Sequence, residues 1–291
     1  MSRARRKEFN VATQLPILQT AMRFKELVTE ALRSARAHFL ELRGSEEARK
    51  ELGIGAGGDV TRVIDLEVER AIVKSLAENL RDFVLVSEES GFKTYGEGGY
   101  VIVVDPLDGS TNVLRGYPAC GSAMAIARGV ALSDVVAAGV VNLITGDLYY
   151  AEKGFGAYLN GERIRPRSTS KVEDALMAFE LNIRGQISGY VSRVAELIER
   201  ARHVRLIGSD ALEICFVASG TSDAFVDLRG FLRAPDFAAS SFILKEAGGV
   251  ITDADGRELD CRLDPKARST IIAACTPELH EDILKRLRRA R

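Results

Sequence analysis

The run Val101-Ile102-Val103-Val104-Asp105-Pro106-Leu107-Asp108-Gly109-Ser110-Thr111-Asn112 limits the possible folds more than any other stretch of the chain. Tyr100 to Val104 is apolar at every position, which predicts a strand buried on both faces. Asp105 closes that strand, Pro106 and Gly109 force a turn, and Asp108 follows within it. Two carboxylates delivered to one small volume repel each other unless a cation lies between them. Hard oxygen ligands, with the Leu107 carbonyl in the turn, suit Mg²⁺. Asp-Pro and Asp-Gly also punctuate ordinary loops, so this segment alone leaves both readings open. Gly109, Ser110 and Thr111 offer unhindered N–H groups and two hydroxyls, either as a phosphate cradle or as a plain helix cap.

Composition narrows the class. With 291 residues, 46% hydrophobic and 28% charged, the chain has enough apolar material for one large or two modest domains with real cores. Its 40 Lys+Arg and 41 Asp+Glu give a net charge of −1, which excludes nucleic acid as the main partner. The basic start (Arg3, Arg5, Arg6, Lys7) reads as a frayed tail, with a nucleic-acid arm as the lesser alternative. Cys120, Cys215, Cys261 and Cys275 are far apart and read as small core residues. His38, His203 and His280 each stand alone, so any metal must be held by oxygen. Apolar runs are too short to span a bilayer and no signal core follows the basic start, so a cytoplasmic protein is expected.

Apolar residues at helical spacing predict a long helix from Thr20 to Gly44 and a second from Ile64 to Leu80, with Asp65 at its start. The glycine-rich residues 53–58 between them read as a mobile loop that closes over a substrate and brings in a further metal through Asp59. Strands are expected at Phe83–Ser87 and Tyr100–Val104, followed by an antiparallel meander ending in the Asn160-Gly161 hairpin. After a strand at Ala175–Phe179, the polar residues 182–189 read as a domain boundary. Beyond it helices and strands alternate, an α/β pattern.

Other acids repeat the strand-end arrangement. Glu88 and Glu89 follow the strand ending at Ser87 and suit either a metal cluster or a solvated loop. Asp236 opens the helix after Pro235, as a ligand or as a cap. A dication site beside an anion site is the equipment for phosphoryl transfer to water.

Taken together, four segments resemble the inositol monophosphatase superfamily of Mg²⁺-dependent sugar phosphatases. They are Gly58-Asp59-Val60-Thr61-Arg62-Val63-Ile64-Asp65 with Glu69, the Glu88-Glu89-Ser90 turn, the Asp105 to Asn112 signature, and Asp236 with Glu246-Ala247-Gly248-Gly249. The resemblance implies a layered αβαβα sandwich, with an α+β domain over residues 1–183 and an α/β domain over 184–291 that contributes Asp236. It implies that Glu88, Glu89, Asp105, the Leu107 carbonyl, Asp108 and Asp236 bind two or three Mg²⁺. It further implies that Asp65 and Ser110 orient and help deprotonate a metal-activated water, and that Gly109, Ser110 and Thr111 hold the phosphate. A homodimer is also implied.

The stretch before Asp236 lacks the Trp of the animal enzymes and carries Arg229 and Arg233, which suit a second phosphate. This resembles archaeal-type members acting on both fructose 1,6-bisphosphate and inositol 1-phosphate. Pairing of both arginines with acids is the competing expectation. Gly208, Ser209 and Asp210, at a strand-to-helix turn, are candidates for sugar contacts. Two alternatives remain: a nucleotidase for adenosine 3′,5′-bisphosphate, and a regulatory binding protein on the same fold.

Overall fold

The computed structural model describes residues 24–289, so the basic start and the first residues of the expected opening helix lie outside it. The helices are α1 (Phe24–Leu42), α2 (Val63–Asn79), α3 (Ser110–Arg115), α4 (Tyr190–Arg200), α5 (Asp210–Ala218), α6 (Ala234–Ala247) and α7 (Pro277–Arg289). The strands form an eight-stranded sheet, a five-stranded sheet and a small hairpin.

The central strands of the eight-stranded sheet are buried on both faces because they alternate between two cores. Ile102 and Val104 point into the core under α1 and α2, whereas Val101 and Val103 join the core shared with the second sheet. Leu85 and Val86 divide in the same way, as do Met124 and Ala125. Period-two side chains with both sides apolar make this a middle layer. Each fully buried Ile or Leu contributes about 1.5–3 kcal/mol by leaving water.

Helices α5 and α6 fill the space between the two sheets. Ala234 to Ser241 is buried at every position, which a helix covered on all sides requires. Helices α4 and α7 cover the outer face of the second sheet with Tyr190, Val194, Leu197, Leu279, Ile283 and Leu287. The result is the layered αβαβα sandwich. Among the described residues no helix is long and apolar enough to cross a membrane.

The second sheet is mixed. Strand Leu176–Phe179 runs parallel to His203–Arg205 and Ala224–Arg233, and Arg268–Ala274 is antiparallel to the last of these. Leu176–Phe179 therefore joins the second sheet although it precedes the expected boundary at residues 183 and 184.

The glycine-rich stretch differs from expectation: Glu51–Ile54 and Val60–Arg62 pair as an antiparallel hairpin, and only its tip is a loop. Gly57 N and Ala56 N donate to the carbonyls of Glu88 and Glu89, so this tip is bonded to the strand-end acids. The edge strand Gly91–Tyr95 was not foreseen, because its middle is exposed and lacks apolar alternation.

Candidate active site

Register explains why Glu88 meets Asp105. Phe83–Ser87 and Tyr100–Asp108 run parallel with Ser87 opposite Val104, so the next residue of each emerges side by side. Glu88 N donates to Val104 O at 3.2 Å, fixing that exit. Asp236 arrives from the other half, in the first turn of α6. One carboxylate oxygen from each of Glu88, Asp105 and Asp236 lies within 4.8 Å of the others.

Asp65 and Asp236 are held by the same device. Each sits in the first turn of its helix, with Oδ2 accepting a 2.7 Å hydrogen bond from the backbone N–H three residues earlier, that of Arg62 or Arg233. Such caps satisfy an orphan helix donor. Among the described residues they leave Oδ1 of both aspartates buried without a partner. An unpartnered buried carboxylate oxygen is costly, so these atoms need a proton, a water or a cation.

Burial dominates the electrostatics. It pushes the carboxyl of Glu88 up to about 8, with Asp236 adding to the effect, and raises Asp105 well above the ordinary range with help from Glu88 and Asp108. Burial raises Glu89 to about 7 and Asp65 to about 6. Acids crowded until they resist ionisation are what a dication relieves, and carboxylate oxygens fit a hard ion. The residues present fit a divalent metal.

The remaining expected residues are placed as follows. Asp108 lies at the start of α5, accepting from Ser209 Oγ (2.7 Å), Ala211 N (2.9 Å) and Asp210 N (3.2 Å). Desolvation outweighs these bonds and lifts its carboxyl to about 6. Glu89 accepts from the Thr61 hydroxyl. Leu107 is buried, and its N–H donates to Asp105 Oδ1 at 3.1 Å. Gly109 adopts φ +84°, where a side chain is strained and a Cβ would meet the carbonyls of Gly208 at 3.1 Å and Ala119 at 3.2 Å. Ser110 and Thr111 open α3, and neither hydroxyl makes a hydrogen bond among the described residues. The expected relay from Ser110 to Asp65 is therefore not formed here.

The two arginines are engaged with acids. Arg229 forks onto Asp227 through Nε (3.0 Å) and Nη2 (2.7 Å), with Glu180 at 3.5 Å and Asp210 at 3.7 Å. Arg233 reaches Glu88 (2.6 Å), Asp59 (3.1 Å) and Asp236 (3.1 Å). Burial opposes the charge of both, and the surrounding carboxylates outweigh it, holding each pKa above the ordinary guanidinium value. Gly208 takes no such part: its carbonyl accepts from Asn112 Nδ2 at 3.2 Å.

Sequence reasoning missed two supports. Asn112 Nδ2 also donates to Ala119 O and Ile207 O, both at 2.8 Å, pinning the turn after the signature to the second half. Glu69 accepts from the Ser87 hydroxyl and from Ser90 N, steadying the turn that carries Glu88. Only the presence of Asn112 and Glu69 inside the motifs hinted at either role.

The fold and its acidic cleft are those of a phosphatase, and comparison with known proteins agrees. Residues 14–291 match the inositol monophosphatase family, to which the chain belongs. A fructose-1,6-bisphosphatase/inositol-1-monophosphatase from Methanothermobacter thermautotrophicus is 42% identical over 255 residues, 84% of this chain and 89% of that protein. A bifunctional NADP phosphatase/NAD kinase from Methanococcus maripaludis is 36% identical over 264 residues, 83% of this chain and 45% of that protein. The crystal structure of an inositol monophosphatase–fructose 1,6-bisphosphatase superposes with a TM-score of 0.80 at 30% identity, covering 91% of this chain and all of that one.

Proposed function

We propose that the chain is a Mg²⁺-dependent phosphomonoesterase of small sugar and polyol phosphates, with fructose 1,6-bisphosphate and inositol 1-phosphate as its principal substrates. The convergence of Glu88, Asp105 and Asp236, with Asp236 Oδ1 buried and unpartnered, carries the reading. These three acids would hold the ion, with Glu89, Asp108 and the Leu107 carbonyl beside them for others. Bound Mg²⁺ supplies activation of a water and neutralisation of the leaving oxygen.

The chain's own groups do the rest. Gly109 N–H and the hydroxyls of Ser110 and Thr111 bind and orient the phosphate. Asp65, its carboxyl lifted to about 6 by burial, is matched to proton transfer near neutrality and acts through Ser110 once substrate closes the gap. The archaeal relatives' names support the sugar and polyol substrates. The NADP phosphatase relative supports a second reading, hydrolysis of a nucleotide phosphate. We expect a cytoplasmic homodimer, the assembly being measurable by light scattering.

Phosphate release from fructose 1,6-bisphosphate, inositol 1-phosphate, adenosine 3′,5′-bisphosphate and NADP, each with Mg²⁺ and with EDTA, tests both readings. The sugar and polyol esters are expected to turn over fastest and EDTA to abolish the activity. Faster release from either nucleotide favours the second reading, and activity that survives EDTA defeats the metal assignment.

A further inference from the structure

We propose that Arg233 is a positioning residue for the divalent cation, holding one oxygen of Glu88 and one of Asp236 and leaving Asp236 Oδ1 for the ion. The proposal rests on the reading that these acids bind such an ion. The guanidinium uses all three nitrogens on carboxylates: Nη2 donates to Glu88 Oε1 at 2.6 Å, Nε to Asp236 Oδ2 at 3.1 Å and Nη1 to Asp59 Oδ2 at 3.1 Å. The backbone N–H of Arg233 adds a second bond, 2.7 Å, to the same Asp236 oxygen. Oδ1 of Asp236 has no partner, so arginine and ion need not contend for one atom.

The guanidinium is also locked in place. Its side chain is 9% exposed, and the backbone at Gly57 packs so closely on Nη1 that a Cβ there would collide with it. Gly57 is itself bonded to Glu88 O at 2.8 Å. Arg233 is therefore packed between its carboxylates and the hairpin tip. Outer partners that fix ligating carboxylates commonly change metal affinity 10- to 100-fold when removed.

The test is calorimetric titration of Mg²⁺ into metal-stripped wild type, Arg233→Gln and Arg233→Lys, each first melted in EDTA to establish folding. Arg233→Gln is expected to raise the Mg²⁺ dissociation constant about 10- to 100-fold. Arg233→Lys keeps the charge and loses the fork, and is expected to fall between the two. A folded Arg233→Gln protein that binds Mg²⁺ as tightly as wild type, or more tightly as displacement of a competing charge would give, overturns the proposal. Should that variant not fold without metal, the lysine variant decides by the same comparison. A wild type that binds no Mg²⁺ overturns the cation reading and this role with it.

Discussion

Arg229 and Arg233 lie on one strand, Ala224–Arg233, and each faces three acids, yet the two guanidinium groups are paired differently. Around Arg229 one carboxylate, that of Asp227, is used on both oxygens, while Asp210 Oδ1 is buried and unpartnered among the described residues. Asp227 Oδ1 accepts from the Arg229 backbone N–H (2.8 Å) and Nε (3.0 Å), Oδ2 from Nη2 (2.7 Å), and the Phe231 ring lies 5.7 Å from the guanidinium carbon. A bidentate, covered pair of this kind is structural and directional. Around Arg233 one guanidinium is spread over Glu88, Asp59 and Asp236 while Asp105 adds a further acid, and Asp236 Oδ1 stays bare. Similar numbers of acids therefore mean different things according to whether the guanidinium is committed to one carboxylate or shared among several.

The sharpest way to break this contrast is Asp236→Asn. The amide oxygen still accepts from Arg233 N, so the cap is retained, but the charge facing Glu88 and Asp105 is lost. Phosphate release at saturating Mg²⁺ is expected to fall on the order of 10²–10³-fold with little change in melting temperature. Retained turnover would remove Asp236 from the site.

Asp227→Ala probes the other cluster. It leaves a largely buried guanidinium without its fork, and breaking such a pair costs about 3–5 kcal/mol. Chemical denaturation measures this, and the loss is expected in stability first. A variant as stable as wild type would show that Glu180 and Asp210 suffice for Arg229.

Glu213 acts on the pH dependence of stability. It is fully buried, its oxygens accept from Ile207 N and Gly208 N at 3.3 Å, and burial lifts its carboxyl to about 8. Since its pKa is higher folded than unfolded, the folded state binds the extra proton between the ordinary carboxyl value and about 8. Its contribution to stability is thus complete in acid and lost as pH rises through that window, at about 1.4 kcal/mol per pH unit. Glu213→Gln should flatten that part of the stability–pH profile between pH 5 and about 8. Identical profiles would mean that Glu213 is ionised throughout.

Much of the site was legible because its acids follow uninterrupted apolar runs. Val101 to Val104 announces a buried strand and therefore where Asp105 emerges, and the same logic gives Glu88. The parallel register that joins them is not local information. The mostly apolar run from Ala224 stops at Leu228, whereas the strand continues to Arg233, its pairing interrupted between Asp227 and Leu232 and then resumed. Buried charges hid best. Glu180, Glu213 and Asp227 resemble surface residues until their partners are known, and these come from distant segments. For the same reason Asp108 showed as a metal candidate while its bonds to the start of α5 did not.

The division of the acids between the two halves bears on how the protein is made. Glu88 and Asp105 leave the ribosome long before Asp236, and each rides on a strand whose inner face needs α5 and α6 as cover. A partly synthesised chain thus presents only a fragment of the cleft, and uptake of its ion waits until the last third of the polypeptide has docked.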